Sequence, residues 1–302
     1  MRTRQSLSRI SPAAGTMSTM LLTLALMLLP AAAYPQENHP VSSNSQQIAD
    51  TVEKASCPPV RKIQIPMRNG DLSITHISGA IVFEAGMAID ADGAPNAYDP
   101  HDRGLDRLAN ARRRHHWIGV ATDKRGHPLV QKRGRYRGYY VSTTSLQNAA
   151  ISNPAKPAKY VNATKVPYIV LPPEVAQRFG IALGDLAVVI NQRNEQPVVS
   201  YAIYADTGPH GKIGEGSIAL AEALGLPSSP RTGRTEDGIL YVVFPGSGLG
   251  PGRLRKPEEI TRATAELYQQ WGGAERLQAC SFCICHPDLS NRPVVSGESK
   301  GC

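Results

Sequence analysis

Aromatic residues are scarce in this chain: Phe, Trp and Tyr together make up 6% of 302 residues. No apolar run reaches the roughly 20 residues that would span a bilayer as a helix. The longest, MLLTLALMLL at 20–29, is about half that length. No internal repeat is visible, which excludes a solenoid or propeller built on a regular period. No serine or cysteine nucleophile motif accompanies the histidines, and His115 and His116 only follow an arginine run. A hydrolase of the activated-serine or activated-cysteine type is therefore not indicated. Cysteine is sparse as well. Cys57 stands alone, Cys280, Cys283 and Cys285 crowd into CSFCICH, and Cys302 ends the chain. A structural zinc site usually draws on two separated ligand pairs, and no second cluster exists here. Disulfides, or a tail of no catalytic importance, are the preferred readings over metal.

Glycine and proline are abundant, with 27 and 24 residues, and 41% of the chain is hydrophobic. That composition describes a folded, turn-rich protein, better suited to many short strands than to a helical bundle. The first 33 residues read as an export signal. Arg2, Arg4 and Arg9 form a basic start, the apolar run follows, and Ala31–Ala33 offers small residues for cleavage. Secretion, or delivery to a periplasm, is expected, with no stable membrane anchor. Residues 34–56 are polar and read as a linker, 57–275 as the folded domain, and 276–302 as a cysteine-containing tail. The formal charge is +8, part of it in the leader and the rest concentrated in RRRHH (112–116) and QKRGRYRG (131–138). These runs read as solvated loops, and no nucleic-acid partner is expected.

Strand candidates are WIGVAT (117–122), PLVQ (128–131), GYYVSTTSL (138–146), VPYIVL (166–171) and GILYVVFP (238–245), after an apolar stretch from Ile77 to Ile89. DLAVVI (185–190) and PVVSYAIYAD (197–206) predict a hairpin. Short helices are predicted at GLDRLANARR, at PPEVAQRF closed by Gly180, and at IALAEALG closed by Gly225. A longer one covers PEEITRATAELYQQW, stopped by Gly272.

The chemistry concentrates in YADTGPHGKIGEGSIALAEALG (204–225). Asp206 ends an apolar strand, where half-shielded surroundings raise a carboxyl pKa. Glu215 follows a glycine-rich turn and precedes a helix, whose free N–H groups favour the charged form. Two carboxylates pushed apart in pKa form the acid/base pattern of a glycosidase. The ordinary alternative is two solvated acids at a strand–turn–helix junction.

Several blocks lie in order over residues 60–245: MAIDADGAPNAYDP, LDRLANA, VATDKRGHPLVQ, GYYVSTTSL, VPYIVLPPEV, GDLAVVI and, most specific, DTGP…IGEGSIALAEALG. Together they resemble the chitosanases of glycoside hydrolase family 75. The resemblance implies an inverting endo-hydrolase of β-1,4-linked glucosamine polymer, with Asp206 and Glu215 as the essential pair. Asp90 and Asp92 of IDADG would meet the sugar amine. The DTG turn is also similar to a motif of double-psi β-barrel enzymes, in which the Asp is the catalytic acid. The fold expected is therefore mainly β, a six-stranded double-psi-like barrel with a few packed helices. His210 and Tyr139 are further candidates for substrate contact. Trp117, Tyr140 and Tyr204 are possible stacking faces. No cofactor and no metal are expected, and a monomer is. A peptidoglycan-cleaving hydrolase or transglycosylase, and a non-catalytic carbohydrate binder, are the competing readings.

Overall fold

The computed structural model describes residues 57–113 and 116–285, with the side chains of 281–285 excepted. The expected leader (1–33), the linker (34–56) and residues 286–302 lie outside the described residues, as do Arg114 and His115.

The chain opens with a hairpin, β1 (Val60–Met67) and β2 (Gly70–Ile77), leading into the long strand β3 (Ala80–Asp90). A short helix α1 (Leu108–Ala111) and a two-residue ladder, β4 (Arg112–Arg113) with β5 (His116–Trp117), follow. Then come β6 (Tyr168–Leu171), α2 (Pro173–Phe179), β7 (Leu186–Asn191), β8 (Val198–Thr207), β9 (Glu215–Ser217) and α3 (Ile218–Ala223). The last elements are β10 (Arg234–Phe244), α4 (Pro257–Trp271) and α5 (Gly273–Cys285).

Six strands close on themselves in the order β3-β10-β7-β8-β6-β9, because β9 pairs back onto β3. The length of β3 makes this possible. Its first half pairs with β2, Ile74 opposite Phe83, while its last residues, Ala88–Asp90, run parallel to β9. The β6–β8 pair is also parallel and the remaining barrel pairs are antiparallel. The architecture is a mixed six-stranded barrel with an added hairpin and a few helices, as the sequence led us to expect.

Alternation along the strands sets up two apolar layers. Ile81 and Phe83 of β3, Ala187 and Val189 of β7, and Tyr241 and Val243 of β10 join the large cluster inside the barrel. Their neighbours Val82, Val188, Ile190, Val242 and Phe244 face outward and are covered by Tyr268 and Trp271 of α4. Hence β7 is buried along its whole length and reads as one continuous apolar run. The Trp271 indole N–H donates to the Ile77 carbonyl at 3.0 Å, so its polar edge is not stranded in the layer. Helix α4 begins with Pro257, the Glu259 carboxylate accepts from the Lys256 backbone N–H at 3.0 Å, and the helix stops at Gly272, whose φ of 110° suits glycine.

Three expected strands are absent. Beyond Trp117, residues 118–146 form loops stitched by isolated bridges, Val120 to Ser142, Thr122 to Pro128 and Val130 to Tyr140. Their β-branched and aromatic residues serve local packing, with Val141 and Tyr160 forming a small cluster of their own with Ala121. Helix α5 begins at Gly273, so the stretch expected to be tail starts inside a helix. Cys280 lies on it, buried, and bridges Cys57 with Cα atoms 4.8 Å apart. That bond removes Cys280 from any zinc set built on CSFCICH.

Candidate active site

The barrel's pairing places four carboxylates at one end. Asp90 is the last residue of β3 and Asp92 lies two residues beyond it. Asp206 is near the end of β8, and Glu215 opens β9. The short strand β6 is the spacer. Val170 pairs with Asp206 on one side and with Glu215 on the other, so the two acids flank the same residue from neighbouring strands. At the usual ~4.8 Å between strands, their backbones stand about 10 Å apart. Turn geometry holds Glu215 there. Gly214 has φ of 81°, its carbonyl accepts from the Ala88 N–H at 2.9 Å, and a side chain at that position would strike the Gly86 carbonyl.

Asp206 is 8% exposed. Its Oδ1 accepts three hydrogen bonds: from the Ser145 N–H at 2.9 Å, the Ser145 hydroxyl at 2.6 Å and the Thr207 N–H at 2.8 Å. Oδ2 has no hydrogen-bond partner among the described residues. Burial pushes the Asp206 pKa up to about 6. The Glu215 charge adds to the rise, and the hydrogen bonds from Ser145 and Thr207 oppose it. Glu215 itself is half-buried, and the Lys212 ammonium donates to it at 3.0 Å. It lies in a strand, not on the helix start: Ser217 caps α3 instead, its hydroxyl oxygen accepting from the Leu220 N–H. Lys212, rather than a helix dipole, supplies the positive charge beside Glu215.

Asp90 accepts from the Tyr168 hydroxyl at 3.0 Å and from the Asp92 N–H at 2.8 Å. Asp92 accepts from the Tyr98 hydroxyl at 2.8 Å and the Ser142 hydroxyl at 3.3 Å. Burial lifts both well above the ordinary carboxylate range. The charges of Glu215 and Asp206 add to this for Asp90, and those of Asp90 and Asp206 for Asp92. The same burial, with the nearby acids, raises Tyr168 and Tyr98, so both remain protonated donors. Asp90, Asp92 and Asp206 each bring one oxygen within 4.8 Å of the others. Three such oxygens match part of a hard cation's donor set. Each carboxylate already accepts two or more hydrogen bonds, however, and groups this close avoid mutual repulsion by retaining protons. Gly119 makes room for the cluster. With φ of 63°, it sits where a Cβ would come within 2.4 Å of Asp92 Oδ2.

The other expected contacts lie outside this cluster. His210 pairs with Glu174 of α2 at 2.8 Å and is largely exposed. Tyr139 stands edge-on to Tyr136 with ring centroids 5.7 Å apart. Neither hydrogen-bonds to the four acids. Tyr204 is a core residue whose hydroxyl meets Thr207, so it offers no free face to a sugar. Trp117 and Tyr140 are half-buried and tilted against each other at 4.9 Å. Asp99 is tied up by Arg103 in two hydrogen bonds, which hold its pKa low. Sequence reasoning missed Ser145, Tyr168, Tyr98, Ser142 and Lys212. Their only signal was position, since Ser142 and Ser145 fall in the hydroxyl-rich VSTTS run and Lys212 in the DTG turn. The basic run Lys132–Arg137 is largely exposed on a loop.

A family model for fungal chitosanases of glycosyl hydrolase group 75 matches residues 87–270. The chain belongs to this family. It is a chitosanase, a glycoside hydrolase acting on chitosan, and the match begins just before Asp90 and takes in all four carboxylates. A search of curated proteins returns no match. The disulfide from Cys57 to Cys280 fits the extracellular setting in which a polysaccharide of this kind is met.

Proposed function

We propose that this chitosanase is an endo-acting, inverting enzyme in which Asp206 is the general acid and Glu215 the general base. The observation that carries the reading is the placement of Asp206 and Glu215 on the two strands that flank Val170. Inverting glycosidases hold their carboxyl groups about 6.5–9.5 Å apart, leaving room for the attacking water. Two strand spacings fit that gap better than the ~5 Å of a retaining pair.

Environment divides the roles. Asp206, pushed up to about 6, keeps a proton in mildly acidic solution and has it to give. With Oδ1 saturated by three donors, Oδ2 is the oxygen left to carry that proton to the glycosidic oxygen. Glu215, on the other side of Val170 and held by Lys212 at 3.0 Å, is the carboxylate placed to take a proton from water. Asp90 and Asp92 are the groups for the glucosamine ammonium. A cation arriving beside partly protonated carboxyls releases their protons and is held by the charge that appears. The leader at 1–33 would export the enzyme, and it would act as a monomer.

The test is reducing-end release from soluble chitosan by the leaderless protein, with Glu215→Gln beside it. Wild-type cutting and a drop of about 10²–10⁴ in the variant are expected from loss of the base. A variant that still cuts within tenfold of wild type would remove Glu215 from the mechanism. Chitosan binding without reducing ends would leave a carbohydrate binder.

A further inference from the structure

A cavity of about 450 Å³ lies between the β1–β2 hairpin and helix α2, lined by Arg61, Ile63, His76, Ile81, Arg178 and Phe179. Strand register explains its make-up. Arg61 stands opposite His76, and His76 opposite Ile81; the next row on the same face is Ile63, Ile74 and Phe83. This face continues the barrel's inner layer. Ile74, Ile81 and Phe83 are buried in it, and Ile63 and Phe179 pack against it. The apolar face therefore ends in a basic edge, Arg61 and His76, and α2 adds Arg178 in its last turn.

The wall holds no carboxylate. Arg61, His76 and Arg178 are exposed, and none of their side chains has a hydrogen-bond or ion-pair partner among the described residues. Arg103, Arg193, Arg231 and Arg234 are each paired with an acid. Two guanidiniums lining one cavity without a counter-charge repel each other, and an anion between them removes that repulsion. The same charge repels an ammonium, so the cavity does not suit the glucosamine units of chitosan.

The fit is to a particular kind of anion. Guanidinium groups match phosphate oxygens in a forked geometry, and two of them balance a dianion. A phosphate monoester carries a charge of about −1.5 to −2 near neutral pH and three acceptor oxygens, one for each basic side chain. Its esterified group would lie against Ile63 and Phe179, both half-buried. The volume lies in the roughly 300–1,000 Å³ range of small-ligand pockets.

We propose that this cavity binds a small phosphate monoester bearing an apolar group, held by Arg61, His76 and Arg178 and bridging the hairpin to α2. It shares no residue with the acid cluster and does not depend on the hydrolytic reading.

The experiment is isothermal titration calorimetry of the leaderless, disulfide-bonded protein with phenyl phosphate. It is run at constant ionic strength and about pH 8, where the monoester is a dianion. Inorganic phosphate and benzoate are titrated beside it. Phenyl phosphate should bind about tenfold more tightly than either, because inorganic phosphate lacks the ring and benzoate lacks a charge and an oxygen. The double variant Arg61→Gln with Arg178→Gln should weaken phenyl phosphate at least tenfold, with far-UV circular dichroism unchanged. Arg133→Gln with Arg135→Gln, on an exposed loop, should bind as wild type does. Absence of binding by wild type, unaltered binding in the Arg61 and Arg178 variant, or equal loss in both variants would overturn the proposal. So would benzoate or inorganic phosphate binding as tightly as the monoester.

Discussion

Replacing Asp206 by Asn should destroy activity and stabilise the protein at the same time. In the folded state the carboxyl titrates near 6, against an ordinary value of 3.8. About two pH units at 1.36 kcal/mol each amount to roughly 3 kcal/mol. The sign follows from proton binding. Between 3.8 and about 6 the unfolded chain has lost this proton and the folded chain keeps it, so stability falls as pH rises through that window. Above it the wild type bears the whole penalty; below 3.8 it bears none. Asparagine retains the acceptor for Ser145 and Thr207 but carries no charge, and it relieves the Coulombic load on Asp90 and Asp92. At pH 8 the variant should melt roughly 6–12 °C above wild type, given about 2–4 °C per kcal/mol for a domain of this size. Near pH 3.5 the two should converge. Thermal melts across pH 3.5–8, run beside reducing-end assays, give both numbers. An Asn variant that melts at or below wild type at pH 8 would refute the buried-acid argument, whatever its activity.

Three further outcomes follow from the geometry. Ser145→Ala removes a hydrogen bond that favours the charged form of Asp206. A charge-assisted bond worth about 1.5–3 kcal/mol corresponds to one or two pH units. The alkaline limb of kcat/KM should therefore move upward from about 6, and a limb that stays put would mean that Asp206 is not the acid. Gly119→Ala puts a methyl against Asp92 Oδ2 at a positive φ, so hydrolysis should fall at least tenfold through a raised KM while far-UV circular dichroism is unchanged; an unaffected KM would argue against a substrate role for Asp92. Reducing the Cys57–Cys280 bond opens a loop of 223 residues and should lower stability by up to about 5 kcal/mol, read by urea melts with and without reductant. Superimposed melts would show the bond to be dispensable.

Much of the candidate site was legible before the structure. Asp206 announced itself by ending an apolar strand, and Glu215 by its place beyond a glycine turn. The β7–β8 hairpin and the helices closed by Gly180 and Gly272 followed from turn chemistry and periodicity. What was not legible depends on long-range pairing. Tyr168 reaches Asp90 across 78 residues and Ser145 reaches Asp206 across 61, and neither spacing leaves a local trace. The β1–β2 hairpin hid because VRKIQIPM exposes charged residues along one edge strand, which blunts the apolar signal. The loops at 118–146 misled for the opposite reason. Their β-branched and aromatic residues pack locally around Val141, and period-two patterning cannot tell an isolated bridge from a ladder. The cysteine pairing could not be read at all, since five cysteines allow many partners and the true one lies 223 residues away.

The stereochemistry of cleavage is the most direct test of the central claim, the water-wide gap between Asp206 and Glu215. Proton NMR of a chitosan oligomer during the first minutes of digestion resolves the anomer released before mutarotation. The account predicts the α-anomer from a β-linked substrate. Initial release of the β-anomer would contradict it, because retention requires a second carboxylate only about 5 Å from the first, close enough to attack the sugar.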